Sequence, residues 1–305
     1  MNFRLFAAAA ALVIGGAAAA APVLAPPAAL APELRQYVKV PGGKIALTHV
    51  RVIDGTGAAP AEDRTVLIDG PKIAGVQSAE AALPAGYRAI DLSGASVIPG
   101  LVGMHNHLFY LQRPNIDPSG RFEQPIIVPQ MSFSAPRLYL ANGVTTMRTT
   151  GSVEPYTDLA LKREIDAGKL VGPHLDVTGP YLEGPGAFFI QNHPITSRED
   201  ARRTVAYWAD QGVNSFKAYM NISRATLKAA IDEAHRRHLK VTGHLCSVTY
   251  PEAAELGIDN LEHGFFVNTQ LDPGKQPDKC PDTAGNPTIV AMKPGSAEAN
   301  ALIKL

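Results

Sequence analysis

The hydrophobic pattern of the chain changes texture part-way along. From Ile45 to about Ser93 it reads "IALTHVRVIDG", "TVLIDGPKIAGVQS" and "RAIDLSG", short runs in which β-branched and polar residues alternate. Asp-Gly and Gly-Pro pairs separate them. A period of two broken by turn residues predicts hairpins, and therefore a small β module. After Ala95, apolar runs of strand length alternate with segments whose apolar residues recur every three to four positions. That alternation predicts strands joined by helical crossovers in a parallel sheet. The strand candidates are Val97–His107, Val144–Thr149, His174–Gly179, Asn214–Tyr219, Lys240–Cys246 and Asn260–Phe266. In "TSREDARRTVAYWADQG", Thr196 with Glu199 three residues on predicts a capping box, and Gly212 a stop. "SRATLKAAIDEAHRRHLK" starts on Ser223 and carries Leu227, Ile231 and Ala234 at helical spacing.

These elements predict an α/β protein of (β/α)8-type TIM-barrel architecture, here about six βα units, with a small N-terminal β module. The expected boundaries are a β-sandwich module, incomplete, at 45–96 and a barrel at 97–305. An eight-stranded barrel takes about 250 residues. The stretch after Val97 is shorter than that, so the expectation is a truncated barrel lacking strands seven and eight, with open sheet edges. In such folds the chemistry sits at the C-terminal ends of the strands.

Composition narrows the picture. The 305 residues carry 28 Lys plus Arg against 28 Asp plus Glu, with no dense basic run, which excludes an electrostatic footprint for nucleic acid and favours a small, near-neutral substrate. The opening "MNFRLFAAAAALVIGGAAAAAPVLAPPAALA" pairs Arg4 with an apolar stretch and small-x-small sites near Ala20. That layout predicts a signal peptide over 1–21, a Pro/Ala linker over 22–44, and export to the periplasm or beyond with no stable membrane insertion after cleavage. The alternative, an uncleaved anchor, is opposed by Pro22, Pro26 and Pro27, which close the run early. Cys246 and Cys280 are the only cysteines, so this is no disulfide scaffold. Two free thiols are expected, with one bridge as the alternative, and Cys246 reads as a small apolar filler.

The candidate chemistry begins at "VIPGLVGMHNHL". An apolar run, read as a buried strand, ends on His105 and His107, whose spacing of two puts both imidazoles on one face. Further strand ends carry Lys217 in "NSFKAYM", His244 in "KVTGHLC" and His263 in "NLEHGFF". Each alone reads equally well as a satisfied core histidine or an exposed lysine. One such residue per successive strand end is a pattern, and four imidazoles suit zinc and similar divalent ions. A lysine ammonium is a poor neighbour for a cation. A buried amine can instead react with carbon dioxide and become a carbamate.

This order of residues, with "PGLVGMHNHL" following a small β module, resembles the metal-dependent amidohydrolase superfamily. "GPYLEG" and "IDNLEHGFF" are most similar to its exported imidazolonepropionase-like or prolidase-like branch. The resemblance spans roughly Ile45 to Phe266 and departs from the usual motif at Gly103, where Asp is common. It implies that His105 and His107 bind one divalent ion, His244 and His263 a second, and carboxylated Lys217 bridges them, with zinc foremost and carbon dioxide consumed by the lysine. It further implies hydrolysis of an amide, dipeptide or cyclic amide C–N bond by a metal-activated bridging water. The general-base aspartate of the family's eighth strand has no counterpart here; Asp259 and Asp272 do not sit at that position. A mononuclear deaminase or imidazolonepropionase-type ring hydrolase, or an inactive fragment, are the alternatives, and a homo-oligomer is open. Tyr181 and Glu183 are candidate substrate contacts, against a loop packed by its own side chains. His49, His174, His193, His235 and His238 read as structural or solvent-facing.

Overall fold

The computed structural model describes residues 30–109, 117–119, 121 and 127–305. The expected signal peptide and the first part of the linker lie outside the described residues; the rest of the linker holds a 3-10 helix, Pro32–Tyr37. Among the described residues no helix is long and apolar enough to cross a membrane.

The N-terminal module is a mixed sheet of β1 (Lys44–Val52), β2 (Ala61–Asp69), β3 (Lys72–Ser78), β4 (Arg88–Asp91) and β5 (Ser96–Val97), in the order β3-β2-β1-β4, with β5 also on β1. β1, β2 and β3 are antiparallel, whereas β4 and β5 run parallel to β1. The β2–β3 turn is Gly70-Pro71, and Gly70 sits at φ +57°, a conformation glycine adopts at no steric cost. Ile45, Ala46, Val50, Val66 and Leu67 are the module's buried hydrophobic residues, and because neighbours in a strand face opposite sides, both faces of β1 and β2 are partly covered.

The second sheet is all parallel. Its strands are β6 (Leu101–Asn106), β7 (Val144–Thr149), β8 (His174–Leu182), β9 (Ser215–Ala218), β10 (Lys240–Gly243) and β11 (Asn260–Leu261), neighbours in space in the order of sequence. Helices α1 (Ala135–Ala141), α2 (Pro155–Asp166), α3 (Arg198–Asp210), α4 (Arg224–Arg236) and α5 (Tyr250–Glu255) fill the crossovers, and α6 (Asn286–Ala291) and α7 (Ala297–Ile303) follow. Six consecutive parallel strands curl into a half-barrel rather than a closed barrel. The central strands hold its core: Leu175, Val177, Leu182, Phe216, Ala218 and Val241 are fully buried, and α4 adds Leu227, Ala230, Ile231 and Ala234. Each large side chain so buried contributes about 1.5–3 kcal/mol.

Several sequence expectations are corrected. Val97–His107 is not one buried strand: Val97 pairs with Val52 in the first sheet, Pro99 interrupts the ladder for want of an N–H, and β6 starts at Leu101. As an edge strand, β6 leaves Val102 and Met104 59% and 60% exposed. The strand expected over Asn260–Phe266 ends at Leu261, because His263 and Gly264 both turn to positive φ. The strand expected over Lys240–Cys246 ends at Gly243. The cap of α3 is Ser197, which accepts from the Asp200 amide, rather than Thr196. Finally, Cys246 and Cys280 form a disulfide instead of two thiols, with Cα atoms 4.8 Å apart. The chain after β11 folds back onto the β10 loop, where Thr269 Oγ1 donates to the Cys246 carbonyl (2.7 Å) and Lys275 Nζ to that of Ser247 (2.7 Å). This return brings distant cysteines together.

Candidate metal centre

The strand ends converge at one mouth of the half-barrel. Asn106, paired to Thr149 of β7, closes β6, with His105 just before it and His107 just after. The His105 ring lies 5.4 Å from that of His107 and 4.5 Å from that of His263. His263 is in turn 4.5 Å from His244, just past β10. The four imidazoles from three strand ends therefore form one contiguous group. His263 reaches it from a left-handed backbone conformation (φ +65°), uncommon for a residue with a Cβ and frequent at functional sites.

Lys217, in β9, enters the same group. It is 1% exposed, its Nζ lies 3.8 Å from Glu262 Oε1, and its charge acts on His107, His244 and His263. Gly151, at φ +86°, lets the chain pass: a Cβ there would strike the Tyr181 ring and approach Lys217 Cγ to 3.1 Å. Its carbonyl accepts from His107 Nδ1 (3.3 Å).

Burial sets the protonation states. It pushes His107 and His244 down to about 3 and His263 to about 4, aided by neighbouring positive groups, so these imidazoles are neutral with a lone pair to offer. Burial likewise lowers Lys217 to about 7, against the pull of Glu262 and with the push of Arg148. Its amine form is thus well populated near neutrality.

Glu262 is the residue that the sequence pattern missed. Burial raises its pKa, but His105, Lys217 and Thr242 outweigh that and hold it at about 2. It accepts from His105 Nδ1 and Thr242 Oγ1 in short hydrogen bonds, and from Arg148 Nη2 at 2.7 Å. The one signal in the sequence was an acid beside His263, just past the end of β11.

Of the two candidate substrate contacts, Tyr181 lies in an aromatic cluster with its ring 6.2 Å from His107 and 4.3 Å from Tyr219. Glu183 is fully buried: Oε1 accepts from the amides of Asn221 (2.6 Å) and Gly184 (2.9 Å), tying the loop after β8 to the loop after β9. The five remaining histidines lie elsewhere; His49, His193 and His235 pair with Asp63, Asp200 and Asp259.

Among the described residues, no three His, Cys, Asp or Glu side chains are arranged as they stand to hold an ion. The rings meet edge to face, and His105 spends Nδ1 on Glu262. The donor chemistry nevertheless fits divalent metal, since neutral imidazoles gathered around a deprotonatable lysine are nitrogen ligands without competing charge.

The amidohydrolase family model matches residues 96–275, more than half of the sequence. The chain belongs to the amidohydrolase family. It is 28% identical over 222 residues to uncharacterized proteins of Mycobacterium tuberculosis (strain ATCC 25618 / H37Rv) and Mycobacterium bovis, covering 68% of this chain and 54% of theirs. It thus spans about half the length of these curated relatives. Among solved structures it is similar to a candidate prolidase from Bifidobacterium longum, with 28% identity, TM-score 0.57, and 74% of this chain and 55% of that one covered. Phenylurea hydrolase B (22% identity, TM-score 0.59, 75% and 61% covered) and a Xaa-Pro dipeptidase with bound methionine (19%, 0.58, 73% and 62%) share the fold. The amidohydrolase half-barrel is accordingly TIM-barrel-like.

Proposed function

We propose that the chain contributes a two-metal site to a hydrolase of carbon–nitrogen bonds, with His105 and His107 for one ion, His244 and His263 for the other, and carboxylated Lys217 between them. The observation that carries this reading is the burial of Lys217 against neutral imidazoles at the strand ends. A lysine there without purpose would cost its desolvation for nothing. As the amine, Nζ attacks the carbon of carbon dioxide, an N–C bond forms as a C=O pair moves onto oxygen, and the Nζ proton passes to water, leaving a carbamate. Two divalent ions, zinc foremost, when bound supply Lewis-acid polarisation of the scissile carbonyl and acidify water. The Gly151 carbonyl holds the proton of His107 on Nδ1, which puts the lone pair of the neutral ring on Nε2, the atom proposed to ligate.

The likeness to a candidate prolidase supports a dipeptide-like or N-acyl amino acid substrate. Tyr181, beside His107, is the proposed substrate contact, and Glu183 is proposed to shape the same face through the Asn221 loop. The disulfide supports export to an oxidising compartment. A mononuclear ring hydrolase is disfavoured by Lys217, which it would not need. The test is 13C NMR of protein equilibrated with labelled bicarbonate and zinc, beside a screen of dipeptides and N-acyl amino acids. A carbamate resonance lost in Lys217→Arg, with hydrolysis lost in parallel, is expected. No carbamate in the wild type would remove the bridging role.

A further inference from the structure

Glu262 is outside the proposed ligand set, yet side chains from four strands meet on its carboxylate. Oε2 accepts from His105 Nδ1 of β6; Oε1 accepts from Arg148 Nη2 of β7 and Thr242 Oγ1 of β10 and lies 3.8 Å from Lys217 Nζ of β9. The residue is 7% exposed and its own backbone is pinned: its amide donates to the Gly243 carbonyl (2.9 Å) and its carbonyl accepts from Tyr250 Oη. Neither end of this side chain has freedom to turn away from His105.

The chemistry of that contact is one-sided. A carboxylate only accepts, and a neutral imidazole has a single N–H. Glu262 therefore keeps the proton of neutral His105 on Nδ1 and leaves the lone pair on Nε2, the arrangement in which a carboxylate behind a histidine orients it toward metal. Arg148 and Thr242 occupy the other oxygen, so Oε2 is reserved for the histidine. We propose that Glu262 is a positioning residue of the metal centre, fixing the tautomer and ring orientation of His105 so that Nε2 is presented to the ion. His107 has the weaker version of the same device in the Gly151 carbonyl. The alternative role is a purely structural ion pair with Arg148. The inference rests on the proposed metal site for its purpose, but the tautomer exists with or without metal.

The experiment reads both. In alkaline buffer, with 15N-histidine label and the His105 signals assigned from a His105→Asn variant, wild type is expected to show Nδ1–H. Glu262→Gln, which can turn its amide toward Nδ1, is expected to shift His105 toward Nε2–H and to weaken zinc binding by about 10–100-fold. Arg148→Met, which leaves Glu262 on His105, is expected to keep the wild-type tautomer, whereas a structural ion pair would make the two variants alike. Should Glu262→Gln fail to fold, Glu262→Asp is read in the same two ways, the shorter carboxylate loosening the contact. An unchanged tautomer together with unchanged zinc affinity in the Glu262 variant would overturn the inference. If wild type binds no zinc while the tautomer still follows Glu262, the positioning stands and the metal-site reading falls.

Discussion

At the residue scale, buried ionisable groups are the features from which behaviour follows most directly. Asp158 and Glu183 are both fully buried, and burial raises each to about 7, Glu154 adding to the effect on Asp158. A carboxyl raised in the fold stabilises it below its unfolded pKa and loses that contribution as pH climbs through the folded value. Stability from these two groups should therefore fall between about pH 4 and pH 7, at about 1.4 kcal/mol per pKa unit for each. Urea midpoints measured across that interval should flatten in Asp158→Asn combined with Glu183→Gln; an unaltered slope would show that other groups set it. The strand-end residues His105, His107, Lys217, His244 and His263 were legible because a residue type at a strand end is a local pattern. Glu262 was not, because its meaning lies in partners drawn from four other strands, which no spacing within "NLEHGFF" encodes.

At the element scale, the strand ends and the loops after them carry the candidate site, and the ties between those loops hold it. Gly151 is one tight point among them, at positive φ with its missing Cβ facing Tyr181 and Lys217. Gly151→Ala is expected to cost about 1–3 kcal/mol in thermal or urea unfolding. It should also displace Lys217, lowering any carbamate signal. The Cys246–Cys280 bridge closes a loop across 34 positions. Reduction should lower stability by about 3–4 kcal/mol on the chain-entropy account, read as a shift in the urea midpoint with and without reductant. No shift would mean that the hydrogen bonds of Thr269 and Lys275 hold the segment alone. The order of strands and helices was visible in the sequence, including the Ser223 start of α4, to which the structure adds a capping box with Thr226. The bridge, the early end of β11 and the α3 cap were not, since each is decided by where the chain turns back rather than by local propensity.

At the scale of the whole molecule, a parallel half-barrel gathers the ends of its strands on one side, and the family match over residues 96–275 agrees with the architecture expected from the alternation of elements. What the pattern could not supply was exposure. The apolar run of β6 reads like a central strand, but at the sheet edge Val102 and Met104 stand more than half open, because burial depends on neighbours in space. Whether this mouth takes up metal is decided by elemental analysis of the purified protein in zinc and bicarbonate. About two zinc ions per chain are expected, falling in His105→Ala and His263→Ala. No bound zinc at saturation, or variants with undiminished metal content, would contradict the proposed metal site.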